Sequence, residues 1–116
     1  GRAAGLDGAR WQVDAFGDGQ GPLRSYIGAA SLVRVLSGLA TTPAPLPPVL
    51  NLAAPYPVRM TALCEAAGLS FDLVQAPPTA HQSITLDCTL LQSLVPMSAK
   101  DSDPADMVQQ WKATLT

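Results

Sequence analysis

Arg24 is the residue whose type and setting best suit chemistry. It follows a glycine-rich turn, Gly17-Asp18-Gly19-Gln20-Gly21-Pro22, and precedes an aromatic on the extended run Leu23-Arg24-Ser25-Tyr26-Ile27-Gly28. A guanidinium held at the lip of a cleft in this way offers a planar fork of donors that fits a phosphate or a carboxylate. The same spacing also allows a surface arginine paired with Asp18 or Asp14. The turn itself is not a phosphate cradle, because neither GxGxxG nor GxxxxGK[ST] spacing occurs. His81, the single histidine, stands in a proline-rich neighbourhood where no serine triad assembles around it. Asp101, Asp103 and Asp106 lack the alternating ligands and closing glutamate of a calcium loop. They read as caps and dipole complements for the last helix. Cys64 and Cys88 have no second Cys or His at metal-ligand spacing and read as reduced, buried thiols. Trp11 and Trp111 read as packing residues.

The elements that must position these groups follow from periodicity and punctuation. Trp11 to Phe16 alternates as a half-buried strand. Ala29 to Ala40 carries Leu32, Val33, Val35, Leu36 and Leu39 on one side of a helical period, with Arg34 and Ser37 opposite. Pro43, Pro45, Pro47 and Pro48 make the 41–48 segment a stiff connector that can neither extend the helix nor join a central strand. Val49 to Ala53 then reads as a buried strand. Val58 to Ala67 reads as a helix closed by Gly68. Phe71 to Val74 and Ser83 to Leu86 read as short strands, and Asp87 caps a brief helix over Cys88 to Leu94. Asp103-Pro104 opens a terminal helix with Met107, Val108, Trp111 and Leu115 as its apolar face. The fold class is α+β, a single domain over residues 1–116 with about three helices and four or five short strands.

Composition narrows the partners. An apolar share of 47% supports a core, while charged residues supply only 14% against about 25% in an ordinary domain. A net charge of -2 with scattered basic residues leaves no footprint for nucleic acid. No apolar run reaches the roughly 20 residues that cross a bilayer, so no membrane span is expected. Gly1 to Arg10 shows no apolar leader, the chain reads as cut from something longer, and reduced cysteines give a cytoplasmic reading.

Gly17-Asp18-Gly19, then Pro22-Leu23-Arg24-Ser25-Tyr26-Ile27, then the helix with Leu32, Val33 and Leu36 resemble the "GDG…R(D/S)YIHVDDLA" segment of the NAD-dependent epimerase/dehydratase family, the extended short-chain dehydrogenases. The later order is similar too. Val49 to Ala54 resembles the family's "YNLGSG" strand, Val58 to Gly68 its "ELAEALAEALG" helix, Thr85 to Leu91 its "DTSKAR…LG" stretch, and Met107 to Trp111 its "GL…TVEWY" helix. Gly1 to Gly8 resembles a divergent "GNVYGP" strand exit. Gly28, Ala30 and Ser31 depart from the His and two Asp of "HVDD", and Arg2 stands where that strand exit has Asn.

The resemblance implies a C-terminal, substrate-binding portion of an isomerase or oxidoreductase of this family, acting on a nucleotide-sugar or a smaller sugar-like, polar substrate. It implies that Arg24, Ser25 and Tyr26 line the substrate wall. It also implies that NAD or NADP, the Tyr-x-x-x-Lys pair and the Gly-rich turn belong to an N-terminal Rossmann domain that is missing here. The isolated chain is then expected to bind no cofactor and to be inactive. A different class of function fits the apolar composition: a non-enzymatic α/β protein-interaction module.

Overall fold

The computed structural model describes residues 10–43 and 45–115. The expected match of Gly1 to Gly8, with Arg2, lies outside these residues. The class is α+β. Strand β1 (Arg10–Ala15) runs parallel to β4 (Ser70–Gln75), pairing Trp11 with Phe71 and Val13 with Leu73. A second, three-stranded sheet has order β3-β2-β5, with β2 (Leu23–Arg24) antiparallel to β3 (Val58–Arg59) and parallel to β5 (Ser83–Ile84). The helices are α1 (Ala29–Thr41), α2 (Met60–Ala67), α3 (Thr89–Leu94) and α4 (Pro104–Ala113), with a 3-10 turn at Ala99–Ser102. The short α3 brings the helix count among the described residues to four. No described helix is long and apolar enough to cross a membrane.

Local chemistry explains the boundaries. α2 stops where Gly68 adopts a left-handed φ of 72°, its N–H and that of Leu69 reaching back to carbonyls of the last turn. Asp87 accepts from the Thr89 N–H at 3.0 Å and so turns the chain into α3. Pro104 occupies the first turn of α4, where its missing N–H costs no helical bond. Ser98 and Asp101 form a reciprocal capping box around the 3-10 turn.

Two apolar clusters hold these pieces. Val35 and Leu39 of α1 meet Leu91 and Val95 across Ala53 and Cys88. Ala54, Val58 and Met107 form the other, with Tyr26 and Leu63 packed against it. The molecule is a plate of 47 × 37 × 22 Å with a radius of gyration of 16.1 Å, larger than the roughly 13 Å of a compact domain of about 100 residues.

Several expectations need correction. Val58 and Arg59 pair with β2 as strand β3, so the helix expected over Val58 to Ala67 begins at Met60. The cap position of α3 is Cys88, without a side-chain cap bond, rather than Asp87. The buried face of α1 is Ser31, Val35 and Leu39, while Val33 and Leu36 are exposed. Helical periodicity reports an apolar stripe, but its partners touch only a narrow line. That line is made close by small residues: a Cβ on Gly38 would press within 3.2 Å of Val95, and one on Gly28 would collide with the Gln110 amide. Val49 to Ala53 is not a strand. In place of a ladder this segment is held by single bonds, Ala54 N–H to the Tyr26 carbonyl at 2.8 Å and Asn51 Nδ2 to the Asp87 carbonyl at 3.0 Å.

Leu91 is fully buried and Val33 is 63% exposed. In urea titrations Leu91→Ala is expected to cost about 2–5 kcal/mol of stability. Val33→Ala should stay within about 0.5 kcal/mol of the parent.

Candidate functional site

The glycine-rich turn, β2 and the loop entering β5 meet in one seam. Arg24 Nη1 donates to the carbonyls of Leu23 and Gln82, both at 2.9 Å, and Nη2 donates to that of His81 at 2.8 Å. Three of the five guanidinium N–H donors are thereby committed to backbone. Among the described residues Arg24 forms no ion pair with Asp14 or Asp18. Asp18 instead takes the Gln82 amide on both carboxylate oxygens and the Gln20 N–H, which together hold its carboxyl below the ordinary range. Arg59 Nη1 donates to the Gly21 carbonyl at 2.8 Å. Ser25 Oγ accepts from the Leu86 N–H at 2.8 Å.

Tyr26 is the member of the predicted trio that borders a concavity. Its ring packs on the Ala54, Val58 and Met107 cluster and lines an open cleft of about 580 Å³ with Leu32, Leu63, Cys64 and Trp111. Burial pushes the Tyr26 phenol up, with Arg24 nearby pulling the other way. The Cys64 thiol in the same cleft is also pushed up by burial and then by Glu65, which leaves it a poor nucleophile. Cys88 is buried, and both cysteines are free. Trp111 is 37% exposed and Trp11 41%, so neither is enclosed. Arg24 and Ser25 thus hold the strand in place, and Tyr26 presents it to the cleft.

A second, polar cleft was not visible in the sequence. Asp101 is 5% exposed; it accepts from Ser31 Oγ at 3.0 Å, Arg34 Nη2 at 2.6 Å and the Ser98 N–H at 2.8 Å. Gln110 bonds both the N–H and the Oγ of Ser31 and donates to Asp106 Oδ2. Asp101 therefore ties α1 to the 3-10 turn rather than capping the last helix, and Asp103 makes no side-chain cap. Only Asp106 lies in the first turn of α4. The Ser98-x-x-Asp101 spacing is the signal that announces the turn; nothing local announces Arg34 as the third member. No group of three or more His, Cys, Asp or Glu among the described residues is placed to hold a metal ion. His81 is exposed and lends the seam its carbonyl.

No protein-family model matches the chain, and no curated protein matches it.

Two outcomes follow from this geometry. Arg24→Met, which keeps the stem and loses the fork, is expected to lower stability by about 1–3 kcal/mol in urea denaturation, with Arg24→Lys recovering only part of it. Burial opposes ionisation of Asp101, but the Ser98 N–H, Arg34 and Ser31 outweigh it and hold the carboxyl below its ordinary 3.8. A depressed folded value means that this contribution is complete above the unfolded value and disappears as pH falls through the lower folded one. Asp101→Asn should be less stable at neutral pH and show a flatter loss of melting temperature on acidification below about pH 4. Parallel acid profiles for the two proteins would remove this role.

Proposed function

We propose that the chain is the substrate-orienting portion of an NAD(P)-dependent epimerase/dehydratase and that it works only against a cofactor-bearing Rossmann domain on the same or a partner polypeptide. The observation that carries this reading is the position of Tyr26. The segment whose residues resemble the family's arginine-tyrosine motif runs along the rim of an apolar cleft, and its tyrosine forms part of the wall. In this reading Tyr26 contacts a sugar-like, polar substrate. Arg24 is chiefly a positioning residue, since its remaining N–H donors are those left after the three bonds to the seam. The chain's own residues hold and orient; hydride and proton transfer belong to the nicotinamide and the catalytic groups of the other domain.

A second reading, a non-enzymatic α/β module that docks another protein, is favoured by the apolar side chains left in solvent, Val49 at 79% and Val33 at 63% exposure. The two readings part over what precedes the chain in its gene.

The test is the complete open reading frame and its product. A Gly-rich turn and a Tyr-x-x-x-Lys pair are expected upstream, and the product should bind NADH or NADPH by nicotinamide fluorescence while residues 1–116 alone bind neither. Tyr26→Ala in that product should raise the sugar substrate's KM by about tenfold with the cofactor Kd unchanged. An upstream region without these motifs, or a product that binds no dinucleotide, overturns the proposal.

A further inference from the structure

We propose that the proline-rich connector after α1 is an interaction surface, a short polyproline II ligand for a partner domain whose groove is lined by tyrosine and tryptophan. Pro43, Pro45, Pro47 and Pro48 fall within six residues. Each fixes its own φ at about −65° and restricts the residue before it to extended backbone, which constrains Thr42 and Leu46 as well. Thr42, at φ −67° and ψ 136°, lies close to the polyproline II values of roughly −75° and +145°. Bends at Pro43 and Pro48 bound the run, and the described residues between them belong to neither helix nor strand.

Stiffness alone would suit a connector, but a connector does not require the apolar surface that this one turns outward. A polyproline II helix has about three residues per turn, which sets Pro45 and Pro48 on one edge, and both are exposed. Leu46, on the next edge, is 48% exposed. Just past the bend Val49 is 79% exposed, the most exposed large apolar side chain among the described residues. The third edge faces the body, where Pro47 is half-buried. Leu50 then packs on the cluster of Val35, Leu39 and Leu91 and anchors the far end. No backbone group of Pro43 or of residues 45–50 forms a hydrogen bond among the described residues, so their carbonyls remain as acceptors. The segment is ordered before it meets a partner, which lowers the entropy that binding must overcome.

The class of partner follows from shape and from charge. Segments of this form dock in shallow aromatic grooves, where the rings take the proline edges and an indole or phenol donates to a ligand carbonyl. Pro45-Leu46-Pro47-Pro48 has the Pro-x-x-Pro spacing that such grooves read. From Thr41 to Val58 the chain carries no charged residue. A groove built with an acidic pocket for a flanking arginine or lysine finds nothing here to pair, whereas a WW-type domain that takes an uncharged segment on its aromatic rings fits. A contact of this size gives a weak, transient complex.

The experiment titrates an isolated WW domain that recognises uncharged Pro-Pro-Leu-Pro ligands into the chain and follows amide chemical shifts. Saturable shifts are expected at Thr42, Leu46 and Val49, with Tyr26 and Trp111 unmoved. Pro48→Ala and Leu46→Asp should each raise the Kd by about tenfold. Both side chains are exposed, and amide spectra unchanged outside 42–50 will show that the variants keep the fold. An SH3 domain with an acidic specificity pocket is expected to bind several-fold more weakly. No saturable shift at the three amides, or an unchanged Kd in both variants, overturns the surface. Tighter binding of the SH3 domain overturns the class of partner assigned to it.

Discussion

A strand of two residues cannot hold a sheet by ladder bonds alone, and β2 is such a strand at the centre of three. Arginine side chains supply what the ladder lacks. Leu23 N–H reaches the Gln82 carbonyl at 2.7 Å and Met60 N–H that of Pro22 at 2.9 Å. Around these two backbone bonds, Arg24 bridges to the loop entering β5 and Arg59 to the turn before β2. Charge-assisted bonds to carbonyls are among the stronger polar contacts available to a partly exposed seam. The position of Tyr26, and with it the wall of the apolar cleft, depends on this stitching.

The second constraint is thinness. With a short axis of 22 Å, the plate encloses two small clusters rather than one continuous core. Helices can approach only along narrow lines, which is why Gly28, Ser31 and Gly38 stand at the contacts of α1. The polar hub at Asp101 completes what apolar burial leaves undone. It fastens α1 to the 3-10 turn, while Gln110 fastens α1 to α4 from the other side of Ser31.

Much of the architecture was legible in the sequence. The strand at Trp11 to Phe16, the helix from Ala29, the Gly68 stop and the Asp103-Pro104 start each follow from a local rule, and local rules are what a single sequence exposes. What was not legible is pairing. The Val49 to Ala53 run has the composition of a strand, but whether it joins a sheet depends on the chain laying it along an open strand edge. Likewise Val33 and Leu36 look like core because their period matches Val35 and Leu39, yet burial depends on how wide a partner the tertiary structure provides. The same limit applies to the site. Arg24 stood out by its turn and its aromatic neighbour, but its engagement with His81 and Gln82, 57 and 58 residues away, is a tertiary fact that no local pattern encodes. The Asp101–Arg34 pair, separated by 67 positions, was hidden for the same reason.

The two clefts divide the molecule by chemistry. The one beside Tyr26 is apolar and open, suited to being completed by something else; the one beside Asp101 is charged and internally braced. Hydrogen–deuterium exchange on the chain alone and on the product of its full reading frame compares the first cleft in both settings most directly. Added protection along 26–32 and 60–67 in the longer protein, with the seam at Leu23 and Leu86 equally protected in both, is the expected pattern. Identical exchange along those segments would contradict the view that this wall faces a second domain.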